Sequence, residues 1–170
     1  MNFESLNRTR TILGAAASIL LIVSLLFLNW YNVDGTVTER VASSGNFNKD
    51  AFICGTGDLN CTGFETFPIL RWILLLVAIS PAILGYILIR GHKLSYPPGE
   101  ITMLGGLAAT VLIGYNGILD KPGAVTAEIG VSLDYGYWLA LIASILIFIT
   151  GYLRSLESGG RKARQAPGTV

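Results

Sequence analysis

The sequence predicts an all-α membrane protein, a bundle of four transmembrane helices capped by a small extracytoplasmic β-sheet. Of its 170 residues, 52% are hydrophobic and only 14% are charged, a balance unsuited to a soluble globule. The charges are also unevenly placed. Four long stretches contain none, and each approaches the roughly 20 residues that a helix needs to cross a bilayer. We therefore expect a single integral membrane domain over residues 1–170.

The first predicted helix covers about residues 11–31, and its apolar centre is followed by Trp30 and Tyr31. Amphipathic aromatic residues at a helix end suit the headgroup layer. A cleaved signal peptide is the alternative, since Arg8 and Arg10 precede the apolar run. That run is longer than the roughly 7 to 15 residues of a usual signal core, and large residues stand where small ones favour cleavage. The sequence therefore favours a retained helix.

The other three predicted helices cover about residues 69–90, 101–119 and 135–153. Arg71 and Arg90 bracket the apolar run of the second, where long basic side chains can reach the two interfaces. Pro81 is expected to bend this helix, because proline removes a backbone hydrogen bond. Asn116, near the end of the third helix, is expected either to pack simply or to form a hydrogen bond across the bundle.

Lysine and arginine counts predict the orientation, because cytoplasmic flanks hold more of these residues. Arg71 and Arg90 lie at the ends of the second helix and are counted with the loops they adjoin. The N-terminus, the loop after the second helix and the tail at 154–170 then hold eight in total, whereas the two outer loops, at 32–68 and 120–134, hold four. Both termini are therefore expected in the cytoplasm, with the protein in the plasma membrane. The basic tail is expected to set topology; contact with lipid or a partner is the alternative.

The first outer loop contains both cysteines, Cys54 and Cys61, on either side of a turn-forming GTGDLN segment. An oxidising compartment would pair the two thiols, so we expect a disulfide that staples the loop. Disulfide exchange is the alternative. It is disfavoured because membrane thiol oxidoreductases use a close C-x-x-C pair and further cysteines to relay electrons.

Two segments of the outer loops have strand character. Residues 36–41 are rich in β-branched side chains, and residues 125–134 alternate apolar and polar positions with a period of two. A lone amphipathic strand would expose its edges, so the second segment is expected to pair with strands of the first loop. Pairing with another protein is the alternative.

Small residues recur at helical spacing and are most frequent in the third helix. Such residues let helix backbones approach closely in lipid. They are expected to form packing contacts within the bundle, or on one of two faces a contact with a partner or a second copy. The candidate interface residues are Gly105, Gly106, Ala109, Thr110, Gly114 and Gly117.

The sequence offers no site for chemistry. Charged side chains at membrane depth usually mark ion or proton pathways, and the four apolar runs have none. His92 is the only histidine and lies in a polar loop without a carboxylate or thiolate cluster. We therefore predict a protein that is not an enzyme, with no catalytic, metal or cofactor-binding residues and no nucleic-acid partner.

The layout resembles the claudin-like tetraspan architecture, with a Trp, two Cys and an Arg in the places of Trp30, Cys54, Cys61 and Arg71. The Gly-Leu-Trp signature of that group is absent, since residues 51–53 read Ala-Phe-Ile. The resemblance therefore implies the architecture alone, and no sealing or pore activity.

The chain is also similar to small uncharacterised bacterial four-helix membrane proteins. The similar elements are residues 51–52, the Asp-Lys-Pro-Gly turn at 120–123 and the Gly-Tyr-Trp-Leu start of the last helix at 136–139. This resemblance implies a bacterial plasma membrane and no known activity.

Three functions are consistent with the sequence. The first is an accessory or assembly subunit that binds other integral membrane subunits of a larger complex. The second is a self-associating, adhesive or scaffolding tetraspan. The third is a membrane thiol oxidoreductase. Membrane lipids are expected contacts in every case.

Overall fold

A computed structural model describes residues 3–33, 60–90, 98–119 and 131–164 of the chain, and these residues are mostly helical with a small sheet. The helix Pro98–Gly114 continues without a break into a π-helical turn, Tyr115–Leu119. In chain order the elements are α1 (Phe3–Phe27), β1 (Asn29–Val33), β2 (Asn60–Thr62), α2 (Gly63–Thr66), α3 (Leu70–Ile89), α4 (Pro98–Gly114), β3 (Val131–Leu133) and α5 (Tyr135–Arg164).

Three of the described helices are long and apolar enough to cross a membrane. Their qualifying segments are Arg10–Phe27, Gly99–Leu119 and Tyr135–Leu156, and a further apolar stretch of α3, Leu70–Leu84, is shorter. The prediction of a mostly helical chain with membrane-length segments and a small sheet is therefore confirmed. That these helices cross a membrane, and that a fourth helix does so, stays a prediction.

Two helix ends differ from the predicted bounds. The first helix ends at Phe27 rather than near residue 31, because Trp30 and Tyr31 belong to β1 and are completely buried there. Their position relative to the headgroup layer stays a prediction. The last helix continues to Arg164, into the predicted tail, and no proline interrupts residues 154–164.

The sheet is antiparallel, with strand order β2-β1-β3. Tyr31 of the central strand lies opposite Cys61 on one side and Leu133 on the other. The second-loop strand was expected to pair with strands of the first loop. It pairs with β1, which directly follows α1 and whose last two residues, Asn32 and Val33, begin that loop. Residues 36–41 and 125–130 of the predicted strands lie outside the described residues.

The bundle is built around α5, which packs against both α1 and α4, while α3 contacts α1 and α4. The buried helix side chains are mostly Leu, Ile and Ala, and large apolar residues also cover the outside: Leu76 is 72% exposed and Val111 is 59% exposed. Apolar surface on both sides of the helices suits a bundle surrounded by hydrocarbon. The sheet lies at one end of this bundle, here called the sheet end.

Candidate functional site

Four aromatic side chains form a cluster at the sheet end, where the strands meet the helices. Trp30 and Tyr31 come from β1, Phe67 from the segment before α3, and Tyr137 from the first turn of α5. The ring centroids of Trp30 and Tyr137 are 6.0 Å apart, and those of Tyr31 and Phe67 are also 6.0 Å apart. Both pairs meet edge to face, an arrangement that stabilises aromatic contacts. We call these four residues the aromatic cap.

Trp30 ties three elements together at the centre of this cap. Its Nε1 donates to the backbone oxygen of Ser24 at 3.0 Å and lies 3.2 Å from Ser24 Oγ. The Ser24 hydroxyl in turn donates to the backbone oxygen of Gly136 in α5. A Cβ atom at Gly63 would overlap the indole ring, so a glycine is needed for α2 to lie against Trp30. The strand β1 is thereby fixed to α1, α2 and α5.

The two tyrosines join the cap to the end of α4 and the π-helical turn that follows it. Tyr31 donates its hydroxyl proton to the backbone oxygen of Asn116 in the π-turn at 3.3 Å, and Tyr137 donates to that of Ile113 in α4 at 3.1 Å. Burial, with a smaller contribution from nearby Tyr137, raises the pKa of the Tyr31 phenol. The Tyr31 phenol is therefore held as a neutral hydrogen-bond donor.

The Asn116 side chain does not bond across the bundle. Its Nδ2 donates to the backbone oxygen of Leu112 at 2.8 Å, within its own helix. The atom that reaches another element is its backbone oxygen, through Tyr31. Asn116 is therefore linked to the strand β1 through its backbone, while its side chain bonds only within its own helix.

Three of the six predicted interface residues of the third helix, Gly106, Thr110 and Gly117, lie against α5, and a fourth, Ala109, is buried. A Cβ at Gly106 would overlap the backbone of Phe148, and one at Gly117 would overlap the Tyr137 ring. Ala109 is completely buried. Thr110 Oγ1 lies 2.8 Å from the backbone oxygen of Gly106 and 3.1 Å from Ser144 Oγ of α5.

The other two residues lie elsewhere. A Cβ at Gly105 would touch Val77 of α3 at an ordinary 3.5 Å, and one at Gly114 would meet nothing within 4 Å. Of the six, Gly114 is the one for which the described part of the chain supplies no neighbour.

Cys61 lies in β2 and is completely buried. Its predicted partner Cys54 lies outside the described residues, so the disulfide stays a prediction. Within the described ranges, no group of three or more His, Cys, Asp or Glu side chains lies close enough to hold a metal ion.

Arg71 has a more specific setting than its sequence position indicated. Its guanidinium carbon lies 4.7 Å from the centre of the Phe64 ring and 5.5 Å from that of Trp72. Its Nη1 donates to the backbone oxygen of Phe64 at 3.3 Å. Phe64 belongs to the short helix α2, which begins with a Thr62–Glu65 capping box. The Thr-x-x-Glu spacing could have revealed this helix from the sequence.

The fold and the aromatic cap define a class of protein: a mostly helical chain with three helices long and apolar enough to cross a membrane, closed at one end by a three-stranded sheet. No family model, curated protein or solved structure matches the chain. The function of the protein therefore has to be inferred from the surfaces of the chain itself.

Proposed function

We propose that this chain is a non-enzymatic accessory or assembly subunit of a larger membrane complex. It crosses the plasma membrane four times, with the sheet end outside and both termini in the cytoplasm. The fourth crossing is α3, whose 20 residues extend about 30 Å at the helical rise of about 1.5 Å per residue. Arg71 and Arg90 lie at its two ends, as expected for a span with basic residues at both interfaces.

The observation that carries the subunit proposal is the open space at Gly114. The glycines at 106 and 117 are explained by contacts with α5, but no contact within the described chain requires a glycine at 114. Leu107 and Val111, at positions i−7 and i−3 from Gly114, are 45% and 59% exposed and share its helix face. A small residue between exposed apolar side chains is the pattern at which membrane helices approach each other.

The rigid cap supports the same function. Hydrogen bonds of Trp30, Tyr31 and Tyr137 fix the described strands to the helices. A partner that contacts these strands would therefore meet a preformed surface, and little ordering of them would be needed on binding.

The test is affinity purification of the full chain from its native membrane in mild detergent, with wild type, Gly114→Leu and Ala108→Leu compared. Ala108 is exposed on a different face of α4 and is the matched control, since the same leucine side chain is introduced there. We expect wild type and Ala108→Leu to retain stoichiometric partner subunits and Gly114→Leu to lose them.

The composition of the purified material decides between the two non-enzymatic functions. Different proteins in fixed ratio support the accessory role. A homo-oligomer that Gly114→Leu dissociates would instead support a self-associating tetraspan, because the same open face would then accept a second copy. A monomer without partners in wild type would contradict both.

A further inference from the structure

We propose that Arg71 binds the phosphate of a phospholipid headgroup at the sheet end of the bundle, in a site walled by Phe64 and Trp72. This inference concerns the isolated chain and does not depend on the proposed subunit role.

Contacts with Phe64 and Trp72 hold the Arg71 guanidinium in place, but no carboxylate among the described residues balances its charge. A guanidinium has five N–H donors, and the described part of the chain supplies Arg71 with one hydrogen-bond acceptor, the neutral backbone oxygen of Phe64. The Nε atom is buried and has no hydrogen-bond partner among these residues. The Phe64 and Trp72 rings hold the cation on their faces, which favours a positive charge there. The site therefore has a fixed positive charge and unused donors.

The nearest acid in the sequence does not provide the missing negative charge. Glu65 Oε2 accepts hydrogen bonds from the backbone nitrogen of Thr62 at 3.1 Å and from its hydroxyl at 3.0 Å. These bonds form the capping box of α2 and commit the carboxylate to that helix. Among the described residues, Arg71 has no carboxylate partner.

The surroundings of Arg71 indicate a lipid as the source of the phosphate. Ile69 is 76% exposed, Trp72 57% and Ile73 46%, so the guanidinium stands at the edge of an apolar surface. Arginine matches phosphate with two parallel hydrogen bonds and is weakly hydrated, so it suits a site at the boundary of hydrocarbon. A phospholipid would place its phosphate on Arg71 and its acyl chains on the exposed apolar residues, whereas a free phosphate ion would cover only the charge.

The test measures lipid binding to the purified, delipidated full chain by native mass spectrometry. The probes are phosphatidylglycerol, diacylglycerol with the same acyl chains, and inorganic phosphate. For wild type we expect phosphatidylglycerol to bind about tenfold more tightly than diacylglycerol, and Arg71→Gln to remove about this whole difference. Arg90→Gln is the matched control, because Arg90 also lies over a ring, that of Tyr86 at 5.0 Å, at the other end of α3. It should keep the wild-type affinity.

A second variant separates binding from folding. Arg71→Lys keeps the charge and the apolar stem but loses the planar fork, so we expect a folded protein with weakened phosphatidylglycerol binding. Far-ultraviolet circular dichroism checks the fold of each variant. Undiminished affinity in folded Arg71→Lys or Arg71→Gln, an equal loss in Arg90→Gln, or equal affinity of wild type for both lipids would overturn the proposal. Binding of inorganic phosphate as tight as that of phosphatidylglycerol would overturn the assignment to a lipid.

Discussion

Gly106 and Gly114 show how differently two glycines of one helix can be constrained. The backbone of Phe148 occupies the space that a Cβ at Gly106 would need, while the same atom at Gly114 would meet nothing within 4 Å. The first glycine is therefore required by packing against α5. The second is free to change as far as the described chain alone is concerned.

We expect Gly106→Ala to lower the free energy of unfolding by about 1–3 kcal/mol, the usual cost of overpacking. Gly114→Ala should leave it unchanged or raise it by up to about 1 kcal/mol, because alanine favours helix more than glycine. Unfolding of the detergent-solubilised protein by increasing SDS, followed by circular dichroism, measures both. Equal destabilisation by the two substitutions would show that α4 and α5 do not meet at Gly106.

Because of Tyr31, the stability of the folded protein is expected to fall at high pH. Because its pKa is raised above the ordinary value of about 10, the folded state keeps the phenol proton more tightly than the unfolded state does. The stability from this difference is fully present below about pH 10 and is lost as the pH rises from there toward the folded pKa.

Tyr31→Phe should therefore cost about 1 kcal/mol at neutral pH, through loss of the bond to Asn116, and should reduce the further loss of stability above pH 10. Thermal melts between pH 7 and 11 measure both effects. Tyr135→Phe, at a residue that is 55% exposed, is the control and should follow the wild-type curve. A Tyr31→Phe curve that falls as steeply as wild type above pH 10 would contradict this role.

At the scale of elements, a side chain of α3 replaces a backbone hydrogen bond that the proline of this helix cannot form. Pro81 has no N–H to donate to the backbone oxygen of Val77, four residues earlier. The Ser80 hydroxyl donates to that oxygen at 2.9 Å instead. The Ser-Pro pair therefore keeps the carbonyl satisfied inside an apolar helix, where an unpaired backbone group is costly.

A double-mutant cycle tests this compensation. Ser80→Ala should cost about 1 kcal/mol in the wild-type background, because it leaves the Val77 oxygen without a donor. In a Pro81→Ala background the restored backbone N–H can fill that place, so the same substitution should cost close to nothing. Unfolding in SDS gives the four free energies. Equal costs of Ser80→Ala in both backgrounds would mean that the hydroxyl does not replace the missing donor.

The helices were easier to predict than the sheet, for a physical reason. A charge-free run of membrane length specifies a helix locally, and α3 (Leu70–Ile89) lies within the predicted 69–90. Strand pairing depends on residues far apart in sequence, and the pairing of β3 with β1 left no local signal beyond the alternation of Val131, Ser132 and Leu133. Aromatic residues after an apolar run are compatible with the headgroup layer and with the protein interior, and sequence alone does not distinguish the two. Trp30 and Tyr31 are completely buried in the protein.

The candidate site residues were likewise predictable only where a local sequence pattern specifies their environment. Small-residue spacing predicted that α4 would approach another helix closely, and Gly106 and Gly117 do so. Spacing alone could not say that Gly105 borders α3 or that Gly114 is open, because this depends on how α4 is rotated in the bundle. The ring contacts of Arg71 likewise depend on the short helix α2, which brings Phe64 to the guanidinium.

At the scale of the whole molecule, the sheet links both halves of the chain at one end of the bundle. The strand β1 follows α1, β2 leads through α2 into α3, and β3 precedes α5. The opposite end holds the contact between Arg154 and Thr11, whose Nη2 and Oγ1 atoms are 2.6 Å apart. If the bundle crosses the membrane as proposed, these two ends face different compartments.

Single cysteines introduced at the two ends test this sidedness. Ser132 in β3 and Glu100 in the first turn of α4 are both exposed and lie at opposite ends of the bundle. Lysine and arginine counts predict that the sheet end lies outside. A membrane-impermeant maleimide should therefore label Ser132→Cys in intact cells, and Glu100→Cys only after the cells are permeabilised. Wild type is the background control, since its two cysteines are predicted to be paired. Labelling of Glu100→Cys but not Ser132→Cys in intact cells would invert the orientation, and equal labelling of both would contradict a bundle that crosses the membrane.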